Sequence, residues 1–530
     1  MIRIFVNKST EKFWLIFLFL YIIFSNSFEQ QFCELERKLE MENTFIKAVS
    51  NKTYTENGAL TNKSTQSALL DFYFHGAALR RDGGARTIEL FENAFKEDKT
   101  KALKILFYIR DVRGGQGERE TFRKILKWLG ENESDWVKNN LGLIPEYGRW
   151  DDLGVLLKVD SVKDYVIQFL AGVYLLDLKH IENNEIEKVS LLGKWLWSEN
   201  ATKKETKELA KILINSKLFG SAKQYRKNLT LLRKTIGIVE TKLCNKEYEN
   251  IDYSKLPSLS LLKYRKAFER NDNIKYSKYL ESVNKGEAKI NTKTLYPYDI
   301  VRAYDAHRDW YGHWDVSKDE TLEAQWKNLP DYVPAFNGLV VSDTSGSMSG
   351  DPMNVSISLA IYIAERNKSE VWKNYCIPFS SDAYFIEVKG ETLLDKIKSV
   401  FTGDCSNTNL QAVFDLILGR AVNCKVKPED MPETLLIISD MEFDYCGAWN
   451  LNLEVVRKKY SEAGYKVPRL VWWNVDSRNT QTPATTDDKG NVLISGCSPV
   501  ALKIALNPEL GAIEVMEETI NQKRYDLVKY

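Results

Sequence analysis

Apolar residues recur every three or four positions through the amino-terminal part of the chain, in segments separated by short polar turns. Asp82-Gly-Gly84 and Gly114-Gly115 are two of these turns. Such spacing is typical of amphipathic helices that bury one face. It predicts helices over Thr65–Phe74, Thr87–Ala94, Thr100–Asp111, Glu118–Gly130, Glu133–Tyr147, Val162–Leu175, Lys203–Ile214, Arg226–Glu240 and Ser258–Asn271. Successive helices without intervening strands indicate an all-helical array that stacks in the manner of a solenoid.

Beyond Gly338 the pattern changes to short apolar runs that alternate with helical segments. The runs predict strands at Leu339–Ser342, Trp372–Phe379, Tyr384–Val388, Thr434–Ser439, Arg469–Val475 and Val492–Ser495. The segments between them predict helices at Asn354–Asn367, Thr392–Val400, Leu410–Asn423 and Asn450–Ala463, with a further helical region at the end. Alternation of strands and helices indicates a doubly wound, mostly parallel sheet with right-handed crossovers.

The chain is too long for one ordinary core, since it has 530 residues. We expect a helical domain over residues 41–334 and an α/β domain over residues 335–530. Within the first, residues 41–63 are read as a loosely ordered entry and residues 271–334 as an aromatic connector. Seven scattered cysteines without a Cys-x-x-Cys pair argue against a disulfide framework or a zinc site.

Residues 1–40 need a separate interpretation. Lys8 and Lys12 precede an apolar run from Phe13 to Phe24, which is too short to span a bilayer comfortably and resembles the core of a signal peptide. Cleavage after Ser27 would make the protein secreted. The other interpretation, which we favour, is that Met41 is the functional start and the protein is intracellular. We expect no membrane span in the body of the chain.

A strongly basic segment is hidden by the overall net charge of +1. Residues 201–290 contain 21 Lys and Arg against 10 Asp and Glu, a local net charge of +11, which leaves −10 for the remainder. A basic segment favours a polyanionic partner, although solvated lysine-rich helix faces would give the same count. Cationic and aromatic residues together suit RNA, through phosphate contacts and base stacking. The candidate RNA-binding residues are Lys223, Tyr225, Arg226, Lys227, Arg233 and Lys234.

The first predicted strand of the α/β part ends in a loop rich in oxygen ligands. Asp343, Ser345 and Ser347 occupy alternate positions there, and Gly346 allows a tight turn between them. One carboxylate and two hydroxyls suit Mg²⁺, or another divalent cation such as Mn²⁺, because these ions prefer oxygen ligands. A structural alternative is that Asp343 simply caps the following helix.

This spacing resembles the Asp-x-Ser-x-Ser signature of the metal-ion-dependent adhesion site in von Willebrand factor A domains. In that family a threonine from a second loop and an aspartate from a third complete the site. Thr408 and Asp440 match those positions here, and both follow predicted strands at the edge where open α/β sheets bind ligands. The resemblance implies a Rossmann-like A domain with five metal ligands: Asp343, Ser345, Ser347, Thr408 and Asp440. The structural alternative for Asp440 is that it is a turn residue at the end of a strand.

The helical part resembles the amino-terminal module of a family, found in plants, phages and large viruses, that joins such helices to an A domain. The matching strings are Thr55-Glu-Asn-Gly-Ala59, Asp111-Val-Arg-Gly-Gly115, Tyr147-Gly-Arg-Trp150, Lys194-Trp195, Tyr225-Arg-Lys227 and Ile251-Asp-Tyr253. The two-part arrangement is also similar to the Ro autoantigen, whose HEAT-like helices (the TROVE module) are closed by an A domain. The string from Arg110 to Arg119 carries that similarity, which implies binding of structured or single-stranded RNA in a ribonucleoprotein.

The predicted function is non-enzymatic: a binding or scaffold protein whose metal accepts a carboxylate from a protein ligand, and which binds RNA. One alternative is a Mg²⁺-dependent phosphotransferase of the haloacid dehalogenase type with Asp343 as nucleophile. That chemistry needs a general acid two residues later, where this chain has Ser345. The other alternative is a secreted metal-dependent adhesion protein, which follows if residues 1–27 are a signal peptide.

Overall fold

The computed structural model describes residues 51–308, 314–333, 336–379, 383–401, 410–443 and 453–530. Residues 1–40 and Met41 lie outside these ranges. An antiparallel hairpin of β1 (Lys52–Tyr54) and β2 (Leu60–Asn62) opens the described chain. The expectation of a loosely ordered entry is therefore wrong for its last residues. Backbone hydrogen bonds between Asn62 and Thr482, of 3.1 and 2.9 Å, hold the hairpin, and pairing across such a sequence separation leaves no local signal.

The amino-terminal part is helical, as the periodicity predicts. Its helices are α1 (Ala68–Gly76), α2 (Ala85–Glu97), α3 (Lys99–Arg110), α4 (Glu120–Asn132), α5 (Ser134–Asn140), α6 (Leu143–Tyr147), α7 (Lys163–Glu182), α8 (Leu192–Trp195), α9 (Lys204–Asn215), α10 (Ala222–Thr235), α11 (Val239–Cys244), α12 (Ser258–Asn271), α13 (Asn273–Asn284), α14 (Pro297–Asp305) and α15 (Glu320–Lys327). A 3₁₀ helix covers Trp150–Lys158.

Some boundaries differ from the prediction. The helix predicted over Glu133–Tyr147 is two helices, α5 and α6, and the one predicted over Arg226–Glu240 is divided between α10 and α11. Gly237 lies between α10 and α11 with a φ of +63°, a left-handed conformation that favours glycine and commonly ends a helix. The region read as a connector contains α13, α14 and α15.

A six-stranded sheet forms the carboxyl-terminal part, in the order β5-β4-β3-β6-β7-β8. All neighbours are parallel except β4 and β5, so the prediction of a mostly parallel sheet is confirmed. The strands are β3 (Gly338–Ser342), β4 (Tyr375–Pro378), β5 (Ile386–Glu387), β6 (Thr434–Ser439), β7 (Arg469–Asn474) and β8 (Asn491–Ser495). The helices are α16 (Asp351–Arg366), α17 (Leu393–Val400), α18 (Leu410–Asn423), α19 (Leu453–Glu462), α20 (Leu502–Ala505) and α21 (Ala512–Ile520).

The strand order places a topological switch point between β3 and β6. The chain runs from β3 outward to β4, then returns past β3 to build β6, β7 and β8 on the other side. Strand connections therefore leave in opposite directions at β3 and β6, which opens a crevice at their carboxyl ends. Ligands of open α/β sheets bind in such crevices.

Helices and sheet share one apolar core. A single cluster of buried side chains extends from Leu69 in α1, through the helices and the buried strands, to Val528. A smaller cluster, around Tyr253, Phe268 and Tyr276, lies among α11 to α15. None of the helices in the described ranges combines the length and apolar character needed to cross a membrane.

The helical array begins and ends on the α/β part. At its start α1 packs against β8, where the Ser495 hydroxyl donates to the carbonyl of Tyr73 at 2.8 Å. At its end α14 packs along α16, and the Asn354 side-chain amide donates to Asp305 at 3.3 Å. Both ends of the array are thus fixed to the same sheet and its helices.

Candidate cation site at the sheet edge

Asp343 and Asp440 follow the neighbouring strands β3 and β6. The strands pair in register, with Ser342 opposite Ile438, and the backbone N–H of Asp343 donates to the carbonyl of Ile438 at 3.0 Å. The two aspartates therefore lie side by side at the switch point. Each is 2% exposed. Two carboxylates are thus buried together where the topology opens a crevice.

Local hydrogen bonds fix the carboxylate of Asp343. The Ser439 hydroxyl donates to its Oδ2 at 2.6 Å, and the backbone N–H of Ser345 donates to its Oδ1 at 2.9 Å. Burial, and then the negative charge of Asp440, raise the pKa of Asp343 to about 6. The hydroxyls of Ser345 and Ser347 lie 2.9 Å apart, at the start of a 3₁₀ turn over Gly346–Met348. Asp343 and both serines are therefore presented by one loop.

The two oxygens of Asp440 have different surroundings. Oδ1 accepts the backbone N–H of Glu442 at 3.2 Å. Oδ2 is buried and has no hydrogen-bond donor among the described residues. Arg478 Nε lies 3.5 Å from Oδ2, a distance at which it contributes charge without a hydrogen bond. A buried carboxylate oxygen without a donor is costly, and a bound cation would remove that cost.

Four of the five predicted metal ligands therefore lie at the switch point: Asp343, Ser345, Ser347 and Asp440. The fifth, Thr408, lies outside the described residues. The described ranges contain no group of three or more His, Cys, Asp or Glu residues that could hold a metal. The predicted ligand set is of a different kind, because it combines only two carboxylates with hydroxyl groups.

Sequence reasoning missed three charged residues beside this site. Asp476 lies two residues after the end of β7, whereas Asp440 directly follows β6, and burial raises the pKa of Asp476. Arg81, from the turn after α1, lies 3.3 Å from Asp476 and donates to the carbonyl of Ser349 at 2.9 Å. Arg478 donates to the carbonyl of Ser347 at 2.8 Å. The strand-end position of Asp476 was a usable signal, whereas the arginines reach the site only through the tertiary fold.

The Thr55-Glu-Asn-Gly segment fastens the loop that follows Asp440. The Thr55 hydroxyl donates to the carbonyl of Phe443 at 2.6 Å, and the Asn57 amide donates to that of Glu442 at 2.9 Å. The backbone N–H of Glu56 donates to the Glu442 carboxylate at 2.9 Å. Burial raises the pKa of Glu442. This segment, at the start of the described chain, therefore supports the third loop of the cation site.

The basic stripe is only partly available to a ligand. Tyr225 is buried in the core, and its hydroxyl donates to the carbonyl of Trp197 at 2.7 Å; its predicted role in stacking is wrong. Arg233 is half-buried and donates to the carbonyls of Gly193 and Leu196 at 3.1 and 2.9 Å. The exposed members are Lys223, Arg226, Lys227 and Lys234, of which Arg226 forms an ion pair with Glu199.

The string from Arg110 to Arg119 meets the segment around Asp152 inside the helical part. Arg110 is 1% exposed, and its Nε donates to Asp152 Oδ2 at 2.8 Å. Arg123 Nε donates to the other oxygen of Asp152 at 2.7 Å. Asp111 accepts from Arg524 at 2.8 Å and from the Tyr525 hydroxyl at 3.2 Å. The string from Arg110 to Arg119 thus takes part in packing the helices and the carboxyl terminus.

Comparison with known proteins gives two domain matches. Residues 55–169 and 196–335 match a domain of unknown function, DUF2828, and residues 337–528 match another, DUF7788. Neither description names an A domain or a TROVE module. The crystal structure of the Deinococcus radiodurans RO (RSR) protein matches with 13% identity and a TM-score of 0.38, over 86% of this chain and 99% of that chain. A TM-score of that size supports no argument about fold or function.

A curated relative comes from a large virus. It is described as uncharacterized protein L728 of Acanthamoeba polyphaga mimivirus, and it is 31% identical over 500 residues. The match covers 87% of this chain and 86% of the viral protein. The expected relationship to proteins of large viruses is therefore confirmed, and the chain belongs to the family of mimivirus protein L728.

Proposed function

We propose that this protein is a non-enzymatic binding protein in which a divalent cation joins the A-domain-like sheet edge to a carboxylate of a protein ligand. Asp343, Ser345, Ser347 and Asp440 hold the cation, with Thr408 as a fifth ligand. The HEAT-like helices act as the scaffold. The observation that carries the proposal is Asp440 Oδ2, a buried carboxylate oxygen with no donor among the residues that the structure describes, next to a second buried carboxylate.

The donor set fits Mg²⁺ or Mn²⁺. The candidate ligands are carboxylate and hydroxyl oxygens, which such hard cations prefer over nitrogen or sulfur. A divalent charge would compensate Asp343 and Asp440, whose mutual repulsion contributes to the raised pKa of Asp343. The residues of this chain then orient the cation and leave the bonds of the ligand intact. Ser345, two positions after Asp343, offers no carboxylic acid for phosphoryl transfer.

Calorimetric titration of the metal-free protein with Mg²⁺ or Mn²⁺ tests the cation site. Wild type should bind one equivalent, and Asp440→Asn should bind at least tenfold more weakly. Asp415→Asn is the matched control, because Asp415 is an exposed carboxylate paired with Lys459. A cation at one hundred times its Kd should stabilise wild type by about 2.7 kcal/mol. Equal binding by wild type and Asp440→Asn would refute the site.

The ligand is tested separately by crosslinking and mass spectrometry of protein from its native source. A protein partner that uses the cation should be recovered in Mg²⁺ and lost both in EDTA and with Asp440→Asn. The crosslinked peptide should contain Asp or Glu, and amidation of that residue should abolish recovery. A partner recovered equally in Mg²⁺ and in EDTA would contradict coordination across the interface.

A second candidate function is RNA binding on the exposed face of α10. Lys223, Lys227 and Lys234 are exposed there, within the segment of net charge +11. Because Tyr225 is buried, this helix would contact phosphates without stacking on bases. Crosslinking with RNA sequencing tests this. Reversal of the three lysines to Glu should abolish recovery, and reversal of the exposed Lys458 and Lys466 should not; equal recovery from both variants would refute the α10 surface.

A further inference from the structure

Arg478 reaches from the loop after β7 across two loops of the cation site. Its terminal nitrogen donates to the carbonyl of Ser347 at 2.8 Å, and its Nε lies 3.5 Å from Asp440 Oδ2. The Asp440 side chain is 1% exposed, whereas that of Arg478 is 37% exposed. A partly solvated positive charge is therefore held against a buried negative one.

The contact involves the oxygen of Asp440 that a cation would use. Oδ1 already accepts the backbone N–H of Glu442, at 3.2 Å. Within the described part of the chain Oδ2 has no hydrogen-bond donor, and it is the oxygen that Arg478 approaches. A divalent cation and the Arg478 guanidinium would thus repel each other at one carboxylate oxygen.

We infer that Arg478 is an intramolecular counterion that competes with the divalent cation for Asp440. This inference rests on the cation site proposed above. Without the cation, Arg478 compensates part of the buried negative charge. When the cation binds, the guanidinium withdraws into solvent, which its partial exposure allows. The cost of that withdrawal lowers the affinity for the cation, so Arg478 determines the concentration at which the site fills.

Arg81 provides a matched control at the same edge of the sheet. It donates to the carbonyl of Ser349 at 2.9 Å, on the loop that Arg478 also contacts. Its ion-pair partner is Asp476, at 3.3 Å, and Asp476 is outside the proposed ligand set. Removing either arginine takes one positive charge from the region and one donor from the loop. Only the removal of Arg478 takes a charge away from a ligand oxygen.

Calorimetric titration of the metal-free protein with Mn²⁺ and with Mg²⁺ tests the inference. Arg478→Gln should bind the cation at least tenfold more tightly than wild type, equivalent to about 1.4 kcal/mol. Arg81→Gln should stay within threefold of wild type. Arg478→Lys keeps the charge and should bind much as wild type does. Far-UV circular dichroism of each variant checks that the fold is intact.

Thermal unfolding gives a second readout. In EDTA, Arg478→Gln should melt below wild type, because the carboxylates lose their counterion. In saturating Mg²⁺ the order should reverse. If Arg478 only held the carbonyl of Ser347 in place, Arg478→Gln should bind the cation more weakly than wild type, and not more tightly.

The possible failures can be told apart. If wild type binds the cation more tightly than Asp440→Asn does, while Arg478→Gln binds no more tightly than wild type, the competition is refuted and the cation site stands. If wild type and Asp440→Asn bind equally, the cation site is refuted, and the competition with it.

Discussion

The replacement Asp152→Asn should be among the most damaging single-atom changes in the helical part. It keeps the shape of the side chain, removes its charge and replaces one of its two acceptor oxygens, both of which accept hydrogen bonds here, by an NH₂ donor. Arg110 then lies buried, at 1% exposure, without a counterion. Burial already lowers the pKa of Arg110, even though Asp152 opposes that effect, so the desolvation of the guanidinium is large. Breaking a buried ion pair by removing one partner costs about 3–5 kcal/mol.

Asp151→Asn is the control for this prediction. Asp151 accepts from Arg149 at 2.8 Å and pairs with Arg123 at 3.0 Å, but its side chain is 19% exposed. A partly solvated pair of this kind contributes about 1 kcal/mol or less. The double variant Arg110→Met, Asp152→Asn should recover part of the loss, because it removes the uncompensated charge as well.

Urea unfolding followed by tryptophan fluorescence and far-UV circular dichroism measures these differences. Asp152→Asn should lower the midpoint far more than Asp151→Asn, and the difference should persist in 1 M salt, since salt screens buried pairs weakly. Equal midpoints for the two single variants would contradict an uncompensated buried charge at Arg110. A double variant less stable than Asp152→Asn alone would contradict it as well.

Three further predictions concern the pH dependence of the cation site, the hairpin that supports it and two buried asparagines, Asn62 and Asn367, each of which begins an Asn-Lys-Ser glycosylation sequence. In EDTA, the free energy of unfolding should fall as the pH rises from about 4 to about 6, because the folded state holds the proton of Asp343 more tightly than the unfolded state does. Asp343→Asn should flatten that slope. An unchanged slope in the variant would contradict the raised pKa of Asp343. Thr55→Val removes the hydrogen bond to the loop after Asp440 and should destabilise the protein by ~1 kcal/mol in chemical denaturation; a cost near zero would show that the segment does not hold the loop. Mass spectrometry should find Asn62 and Asn367 without glycans, because their side-chain amides donate to buried carbonyls; glycans at either position would contradict the fold there.

Strand positions and the acidic residues that end them could be read from the sequence, because both signals are local. The apolar runs that became β3 and β6 are short and buried, and Asp343 and Asp440 follow them directly. Tyr225 shows a misreading with a physical cause. Tyr225, Leu229 and Leu232 lie on one face of α10 and are all buried, so the helical spacing already assigned the tyrosine to the core. It was assigned to the RNA-binding residues only because basic residues flank it in the sequence.

The parts that could not be predicted depend on contacts between distant segments. Arg81 lies in the turn after α1, and Arg478 follows β7, yet both donate to carbonyls of the loop after β3. The hairpin β1–β2 likewise depends on Thr482. No periodicity or turn signal records such pairings, because they form only when segments that are far apart in the sequence pack together in the tertiary fold.

The attachment of the helical array to the α/β part has a consequence for how this family can evolve. The carboxyl-terminal residues Arg524 and Tyr525 bind Asp111, the backbone carbonyl of Lys529 accepts from the Trp136 indole at 2.7 Å, and α1 packs on β8. A recombination event that joined these helices to a different α/β domain would leave buried polar groups unmatched on both sides. We therefore expect the two regions to be inherited as a pair, with compensating substitutions across their boundary, and seldom to be exchanged as independent modules.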